Sequence, residues 1–172
     1  GWGKEPKPTL EEIANNHAIL LRLADIAGLS LVVIAIDFKY FFHQFLFRAS
    51  ELWQTGSLVP TMEDGHVAWR FAVEYVMSMG AHPSSRVAQR FANEMMAILL
   101  ARFDKADAPY LKKENAAVQK VMAARRKLPH SEMGTHARLA DAAQYTDDPM
   151  MGIVGVQRAV RFIRVLFDLI GP

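Results

Sequence analysis

Apolar residues near the start of the chain recur at the spacing of a helix. They are Leu10, Ile13, Leu20, Leu21 and Ala24. Thr9 is followed three residues later by Glu12, which is the pattern of a capping box, and Gly28 follows the last apolar positions. The pattern predicts a helix over residues 10–27.

The next apolar positions follow one another without interruption and predict a strand. Residues 31–36 read Leu-Val-Val-Ile-Ala-Ile, which is typical of a strand covered on both faces, and Asp37 comes directly after them. Residues 52–59 and 67–76 predict two antiparallel strands, because the Asp64-Gly65 pair between them favours a tight turn.

The second half of the chain combines two helical patterns with a short strand. Ser84 or Ser85 can begin a helix over residues 85–103, whose apolar stripe consists of Val87, Phe91, Met95, Ile98 and Leu99. Residues 150–154 predict a strand, and residues 156–170 predict a further helix.

Between these parts, residues 104–141 are rich in alanine and in basic side chains. Pro109 and Pro129 bracket a predicted helix over residues 110–128. From Lys112 to Arg138 there are seven Lys or Arg against two acids, so the run forms either a phosphate-facing patch or, as is commoner, a solvated helix face. We interpret residues 104–141 as a helical insertion that is packed on the surface or partly mobile.

The order of these elements predicts an α+β fold. With 51% apolar and 22% charged residues, a chain of 172 residues can bury a sizeable core. We expect one domain over residues 1–172, in which an antiparallel sheet carries helices packed on one face. Because the chain begins with Gly1 and stops after an apolar stretch, we also expect a piece of a longer polypeptide.

The amino-acid composition limits the kinds of metal site that the chain can form and bears on the cellular compartment in which we expect it. The chain has no cysteine, which excludes disulfides and thiolate metal sites and leaves carboxylates as the natural metal ligands. The longest apolar run, residues 29–36, is far shorter than the ~20 residues that span a bilayer, and residues 1–8 do not resemble a signal peptide. We expect an intracellular protein, cytoplasmic or nuclear, without a membrane partner. Its net charge of +2 is too small to indicate nucleic-acid binding by itself.

Acidic residues occur at two distant points where the chain is predicted to leave or enter a strand. Asp37 ends the first strand, and Asp147 and Asp148 follow Tyr145 and Thr146 far downstream. Mg²⁺ prefers oxygen ligands and is usually held by one or two carboxylates together with substrate phosphates. Acids brought together from these points would suit nucleotidyl transfer. Taken singly, Asp147 and Asp148 can instead be explained as a polar turn, and Asp37 as a surface acid that ends a strand.

These motifs, in this order, resemble those of reverse transcriptases. Residues 36–44, Ile-Asp-Phe-Lys-Tyr-Phe-Phe-His-Gln, resemble motif A, and residues 50–55, Ser-Glu-Leu-Trp-Gln-Thr, resemble the stretch that leads into motif B. Residues 80–85 with Gln89 resemble motif B, and residues 145–148 match the Tyr-x-Asp-Asp of motif C. The interval between motifs A and B is close to the family's usual one, whereas that between B and C is lengthened by the basic insertion.

The resemblance implies the right-hand polymerase palm of a retroelement and template-directed DNA synthesis. It implies that Asp37 and Asp147 hold two Mg²⁺ ions, or Mn²⁺ in their place, about 3.5–4 Å apart, with Asp148 as a supporting acid. One ion would lower the pKa of the primer 3′-hydroxyl, and the other would brace the triphosphate and the leaving pyrophosphate. The implied partners are a primed RNA or DNA template and deoxynucleoside triphosphates.

The resemblance also implies a set of substrate-binding residues. Phe42 matches the aromatic residue whose ring excludes a 2′-hydroxyl, although a core aromatic is its alternative interpretation. Gly80 would let the backbone approach the nucleotide. The remaining implied contacts are the carbonyl oxygen of Phe38 and the side chains of Ser84, Gln89 and Tyr145.

Several features depart from the family pattern. Met79 stands where many retroviral enzymes have Gln, Pro83 comes early, and residues 139–144 have poor strand propensity. The fingers and thumb expected of the family are incomplete, so we expect little polymerase activity from this piece alone. The alternative function is therefore an inactive reverse-transcriptase-like domain that binds nucleic acid or protein, and a third is an unrelated helical interaction module.

Overall fold

A computed structural model of the chain describes residues 6–39, 41–77, 84–125 and 138–171. These ranges form two antiparallel sheets and four α-helices, which confirms the predicted α+β class. The elements are α1 (Leu10–Ala27), β1 (Leu31–Ala35), 3₁₀ helices at Phe42–Gln44 and Ala49–Thr55, β2 (Gly56–Glu63), β3 (His66–Val73), α2 (Ser84–Leu111), α3 (Ala116–Arg125), β4 (Ala140–Tyr145), β5 (Asp148–Val154) and α4 (Val156–Ile170). Across the described residues, every helix is too short or too polar to pass through a lipid bilayer.

The first helix begins and ends where its local sequence predicts. The backbone N–H of Glu12 donates to the Thr9 hydroxyl at 3.1 Å, and the Glu12 carboxylate accepts from the backbone N–H of Thr9 at 2.7 Å. The bond from the Thr9 backbone N–H, together with one from the Thr9 hydroxyl at 3.0 Å, holds the pKa of the Glu12 carboxyl below its usual range. Gly28 ends the helix in the left-handed region, at φ 65°.

The larger sheet has three strands in the order β1-β5-β4, so that β5 is central. Successive side chains of a strand point to opposite faces, and β5 carries apolar residues on both of its faces. Met151 and Ile153 pack with α2 and α4, whereas Val154 packs with α1 and α3. The prediction that helices lie on one face is therefore wrong: a central strand that is apolar on both sides needs cover on both sides.

The segment interpreted as an insertion contributes to the core in its described part. Helix α2 continues through Pro109 to Leu111 instead of ending at residue 103. Asp107, on this extension, is buried in an ion pair with Arg158 of α4. Helix α3 buries Val118 and Met122 against the sheet. The described part of the segment is thus not a surface addition, and Pro129 lies outside the described residues.

Strands β2 and β3 form the predicted antiparallel pair and turn at Asp64 and Gly65, with φ angles of 49° and 78°. The predicted bounds of 52–59 and 67–76 are shifted, because residues 52–55 belong to the second 3₁₀ helix and β3 ends at Val73. The hairpin is a separate two-stranded sheet.

Candidate functional site

The end of β1 lies beside the turn that joins β4 to β5. Past the last residue of β1, the N–H of Ile36 donates to the carbonyl of Pro149 at 3.1 Å, and the N–H of Phe38 donates to the carbonyl of Asp147 at 3.2 Å. The two sequence motifs that carry the predicted acids are therefore neighbours at one edge of the sheet.

The register of this pairing decides which acids face each other. Ala35 is opposite Met150, and the same register continues to Asp37 opposite Asp148. This is a non-hydrogen-bonded pair, whose Cα atoms are typically about 4.5 Å apart and whose side chains project from one face of the sheet. Asp147 lies in the turn itself. Asp148, to which the sequence assigned a supporting role, is thus the direct partner of Asp37.

Tyr145 extends this pair into a row of three. It is opposite Asp148 in the β4–β5 pairing, so Tyr145, Asp148 and Asp37 lie side by side on the same face. All three are exposed, and the Tyr145 side chain keeps 51% of its surface accessible. Helix α1 packs over the other end of this face, where it contacts Val154. The row therefore lies at the end of this face that is farther from Val154, which we call the open end of the sheet.

The row has the chemistry of a site for a hard cation. Two like charges directly opposite each other on a strand pair repel, and a cation between them relieves the repulsion. Carboxylate oxygens are the ligands that Mg²⁺ prefers, with substrate phosphates and water completing the shell. Within the described ranges, no group of three or more His, Cys, Asp or Glu side chains is placed to hold a metal ion. The facing carboxylates of Asp37 and Asp148 are therefore the candidate metal ligands.

The turn next to these acids has a strained backbone, which is stabilised by hydrogen bonds with the buried side-chain amides of Gln89 and Gln144. Thr146 has φ 58°, which is unfavourable for a β-branched residue. The Thr146 N–H donates to Gln89 Oε1 at 2.9 Å, and Gln89 Nε2 donates to the Gln144 carbonyl at 2.8 Å. Gln144 Nε2 in turn donates to the Thr146 carbonyl at 2.5 Å. Gln89, which is 0% exposed, positions the turn, although the resemblance assigned it a template contact.

Two further residues predicted to contact substrate are buried. Phe42 is 7% exposed and packs edge-on against Phe41, with ring centroids 6.1 Å apart. Ala88 and Ala92 of α2 complete this cluster, so Phe42 is a core aromatic, as its alternative interpretation held. Ser84, the first residue of α2, is 0% exposed.

The other predicted contacts are less enclosed. Phe38 is partly buried and stacks on Phe41 at 5.9 Å. It also lines an apolar cavity of about 500 Å³ between α2 and the end of α4, which does not suit a triphosphate. The ammonium of Lys7 lies 4.8 Å from the ring centroid of Tyr145. Gly80 lies outside the described residues.

Sequence reasoning missed a buried acid on the same face as the row. Asp141 of β4 is opposite Gly152, and it is 5% exposed. Asn16 Nδ2 donates to its carboxylate at 2.8 Å, and burial raises the pKa of Asp141. The sequence signal that could have identified it is a single acid within the alanine-rich residues 140–143, because small apolar residues favour a buried strand and a buried acid requires a hydrogen-bond partner.

Comparison of the chain with protein-family models, with curated proteins and with solved structures found no match. The interpretation of the site therefore depends on its residues and their geometry.

Proposed function

We propose that this chain is the palm core of a reverse transcriptase from a retroelement, which adds deoxynucleotides to a primer 3′-end on a nucleic-acid template. The observation that supports the proposal best is the row of Tyr145, Asp148 and Asp37 at the open end of the sheet. It brings together acids of two motifs that are far apart in the chain, although the acid opposite Asp37 is Asp148 and not Asp147, to which the resemblance assigned that role.

Each residue of the row has a defined task in this proposal. Asp37 and Asp148 would hold Mg²⁺, with Asp147 as the third acid on the adjoining turn. When bound, Mg²⁺ lowers the pKa of a hydroxyl nucleophile and stabilises charge on phosphoryl oxygens. The exposed ring of Tyr145 offers a stacking surface for a base or sugar of the substrate. Gln89 keeps the turn in its strained conformation and so positions Asp147.

Primer extension tests the proposal directly. The chain is incubated with a primed RNA or DNA template, deoxynucleoside triphosphates and Mg²⁺ or Mn²⁺. Asp37→Asn and Asp148→Asn should each lower the extension rate at least about 100-fold. Asp168→Asn, which changes an exposed acid on α4, should leave the rate unchanged.

Mn²⁺ binding is a second readout that does not require turnover. Because Mn²⁺ is paramagnetic, it should broaden the amide NMR signals of Phe38 and Thr146 in the unaltered chain. The broadening should be lost in Asp37→Asn and kept in Asp168→Asn. Equal broadening in all three proteins, or in none, would refute the proposed metal site.

The burial of Phe42 and Gln89 favours a second candidate function, an inactive reverse-transcriptase-like domain that binds nucleic acid or protein. An active polymerase with the family's sugar discrimination would need the Phe42 ring at the substrate. For the inactive domain, fluorescence anisotropy should detect binding of a primed template without any extension, and Asp37→Asn should leave that binding unchanged.

A further inference from the structure

The β2–β3 hairpin separates apolar from polar side chains between its two faces. Residues opposite each other share a face, and Leu58 is paired with Phe71, Pro60 with Trp69 and Met62 with Val67. We call these six residues the apolar hairpin face. The intervening positions form the opposite face, which we call the polar hairpin face although it also contains Val59 and two alanines: Ser57, Val59, Thr61, Glu63, His66, Ala68, Arg70 and Ala72.

The apolar hairpin face is exposed. Five of its side chains keep most of their surface accessible: Leu58 66%, Met62 70%, Val67 62%, Trp69 65% and Phe71 63%. Since an aromatic side chain buries about 150–250 Å² when covered, these five expose on the order of 500 Å² together. That is near the upper end of the roughly 300–600 Å² of the largest apolar patch on a typical monomer.

On the polar hairpin face, by contrast, side chains already form hydrogen bonds and an ion pair within the hairpin. Arg70 forms an ion pair with Glu63, and the Thr61 hydroxyl donates to the carbonyl of Ala68 at 3.2 Å. An isolated two-stranded hairpin is only marginally stable in water. Apart from Val59, which is 40% exposed, the large apolar side chains that this hairpin leaves uncovered therefore lie on the apolar hairpin face.

We infer that the apolar hairpin face packs against the same face of a second copy of this chain. The two strands differ in bulk: β3 supplies Trp69 and Phe71, whereas β2 supplies Pro60 opposite Trp69 and Leu58 opposite Phe71. A two-fold axis along the hairpin places the bulky strand of each copy over the slimmer strand of the other, so the surface is self-complementary.

The area is sufficient for such a dimer. Two faces of this size bury roughly 1,000 Å² in total, which is the lower limit for a biological interface. The hairpin, residues 56–73, carries two acids against one arginine and so has no basic cluster that would attract it to an anionic membrane. The interface is independent of the proposed catalytic site, because none of the acids of that site belongs to the hairpin.

Sedimentation velocity on the full chain across concentrations tests the inference. The unaltered chain should dimerise, and Trp69→Lys should raise the dimer dissociation constant at least about 30-fold, since a buried aromatic anchor is typically worth 2 kcal/mol or more. Ala72→Lys adds the same charge to an exposed position on the polar face of the same strand and should leave the constant unchanged. A chain that stays monomeric at about 100 µM, or equal weakening by both variants, would overturn the inference.

Cross-linking of single-cysteine variants tests the geometry without removing an aromatic side chain. Because the chain has no cysteine, Leu58→Cys and Ser57→Cys each introduce one thiol, on the apolar and the polar face respectively. A short bis-maleimide should link Leu58→Cys into a dimer and leave Ser57→Cys as monomer. Cross-linking of both or of neither, or binding of the monomer to anionic vesicles through Trp69, would show that something other than a second copy covers the face.

Discussion

The three-stranded sheet and the β2–β3 hairpin are both antiparallel, and both carry a continuous apolar face. In the sheet, Met151 and Ile153 are 0% exposed beneath α2 and α4. In the hairpin, Trp69 and Phe71 are 65% and 63% exposed. Alternation along a strand thus determines which side chains share a face, whereas cover for that face depends on elements that are distant in the sequence.

The largest expected difference between the two regions concerns an aromatic ring in each. Phe162 of α4 is 0% exposed, and its centroid lies 4.9 Å from that of Phe103. Phe162→Ala should lower the free energy of unfolding by about 4 kcal/mol, because it removes a core ring and leaves a cavity. Phe71→Ala should cost less than about 1 kcal/mol in dilute solution. Urea unfolding monitored by circular dichroism measures both, and equal losses would contradict the contrast.

Ion pairs in the two regions should also differ in their contribution to the free energy of unfolding, by almost as much as the two aromatic rings do. The Asp107 carboxylate accepts from Arg158 Nε and from Arg161 Nη2, each at 2.7 Å, and its side chain is 2% exposed. Asp107→Asn should lower the free energy of unfolding by about 3 kcal/mol, since Asp107 is the shared partner of both arginines and its loss leaves the buried Arg158 guanidinium with Glu114 as its remaining carboxylate.

The matched variant in the hairpin is Glu63→Gln, which breaks the exposed pair with Arg70 and should cost less than about 1 kcal/mol. Chemical denaturation of both proteins at low and high salt separates the cases, because only the hairpin pair should be screened. A loss at Asp107 that disappears in high salt would refute its assignment as a buried pair.

The buried glutamine beneath the turn should have an intermediate effect. Gln89→Ala leaves the Thr146 N–H and the Gln144 carbonyl without this partner and should cost about 2 kcal/mol. Gln157→Ala, at an exposed position on α4, is the control and should be close to neutral. Hydrogen exchange at the Thr146 amide should quicken in Gln89→Ala alone. Unchanged exchange there would show that the turn is held by other contacts.

The smallest effect concerns the pH dependence of the sheet core. Because burial raises the pKa of Asp141, the native state binds more protons than the unfolded state between the ordinary value of about 3.9 and the raised value. This residue's contribution to stability is therefore largest at low pH and declines as the pH rises through that window.

Asp141→Asn removes this dependence and keeps an oxygen that can accept from Asn16. The variant should gain stability relative to the unaltered chain as the pH is raised from 4 to 7. Thermal unfolding at several pH values measures the difference, and a difference that is constant across this range would contradict the raised pKa.

Much of the local structure could be predicted. Helix α1 agrees with its predicted ends because a capping box and a terminal glycine act within a few residues. Helix α4 also has the predicted bounds, and the Asp64-Gly65 turn joins β2 to β3 as expected. The extension of α2 could not be predicted, because it depends on the pairing of Asp107 with Arg158 across two helices.

Strand β4 shows how burial overrides propensity. Its alanines have poor strand propensity, yet Ala140 and Ala142 are buried in the core formed with α2 and α4, and the strand pairs with β5 along its whole length. For the candidate site, the meeting of two acidic motifs could be anticipated from sequence. The burial of Phe42 and the hydrogen bonds between Gln89 and the β4–β5 turn could not be anticipated, since both depend on how α2 packs.

The amino-acid sequence by itself determined the bounds of α1 and α4, the caps of α1, the hairpin turn and the alternation of side chains along β2 and β3, because these depend on periodicity and on hydrogen bonds between near neighbours. The tertiary structure alone decided that Asp37 faces Asp148 across the sheet and that the apolar hairpin face stays open. The physical reason is that strand register and cover arise from contacts between segments that are far apart in the chain, which local patterns do not specify.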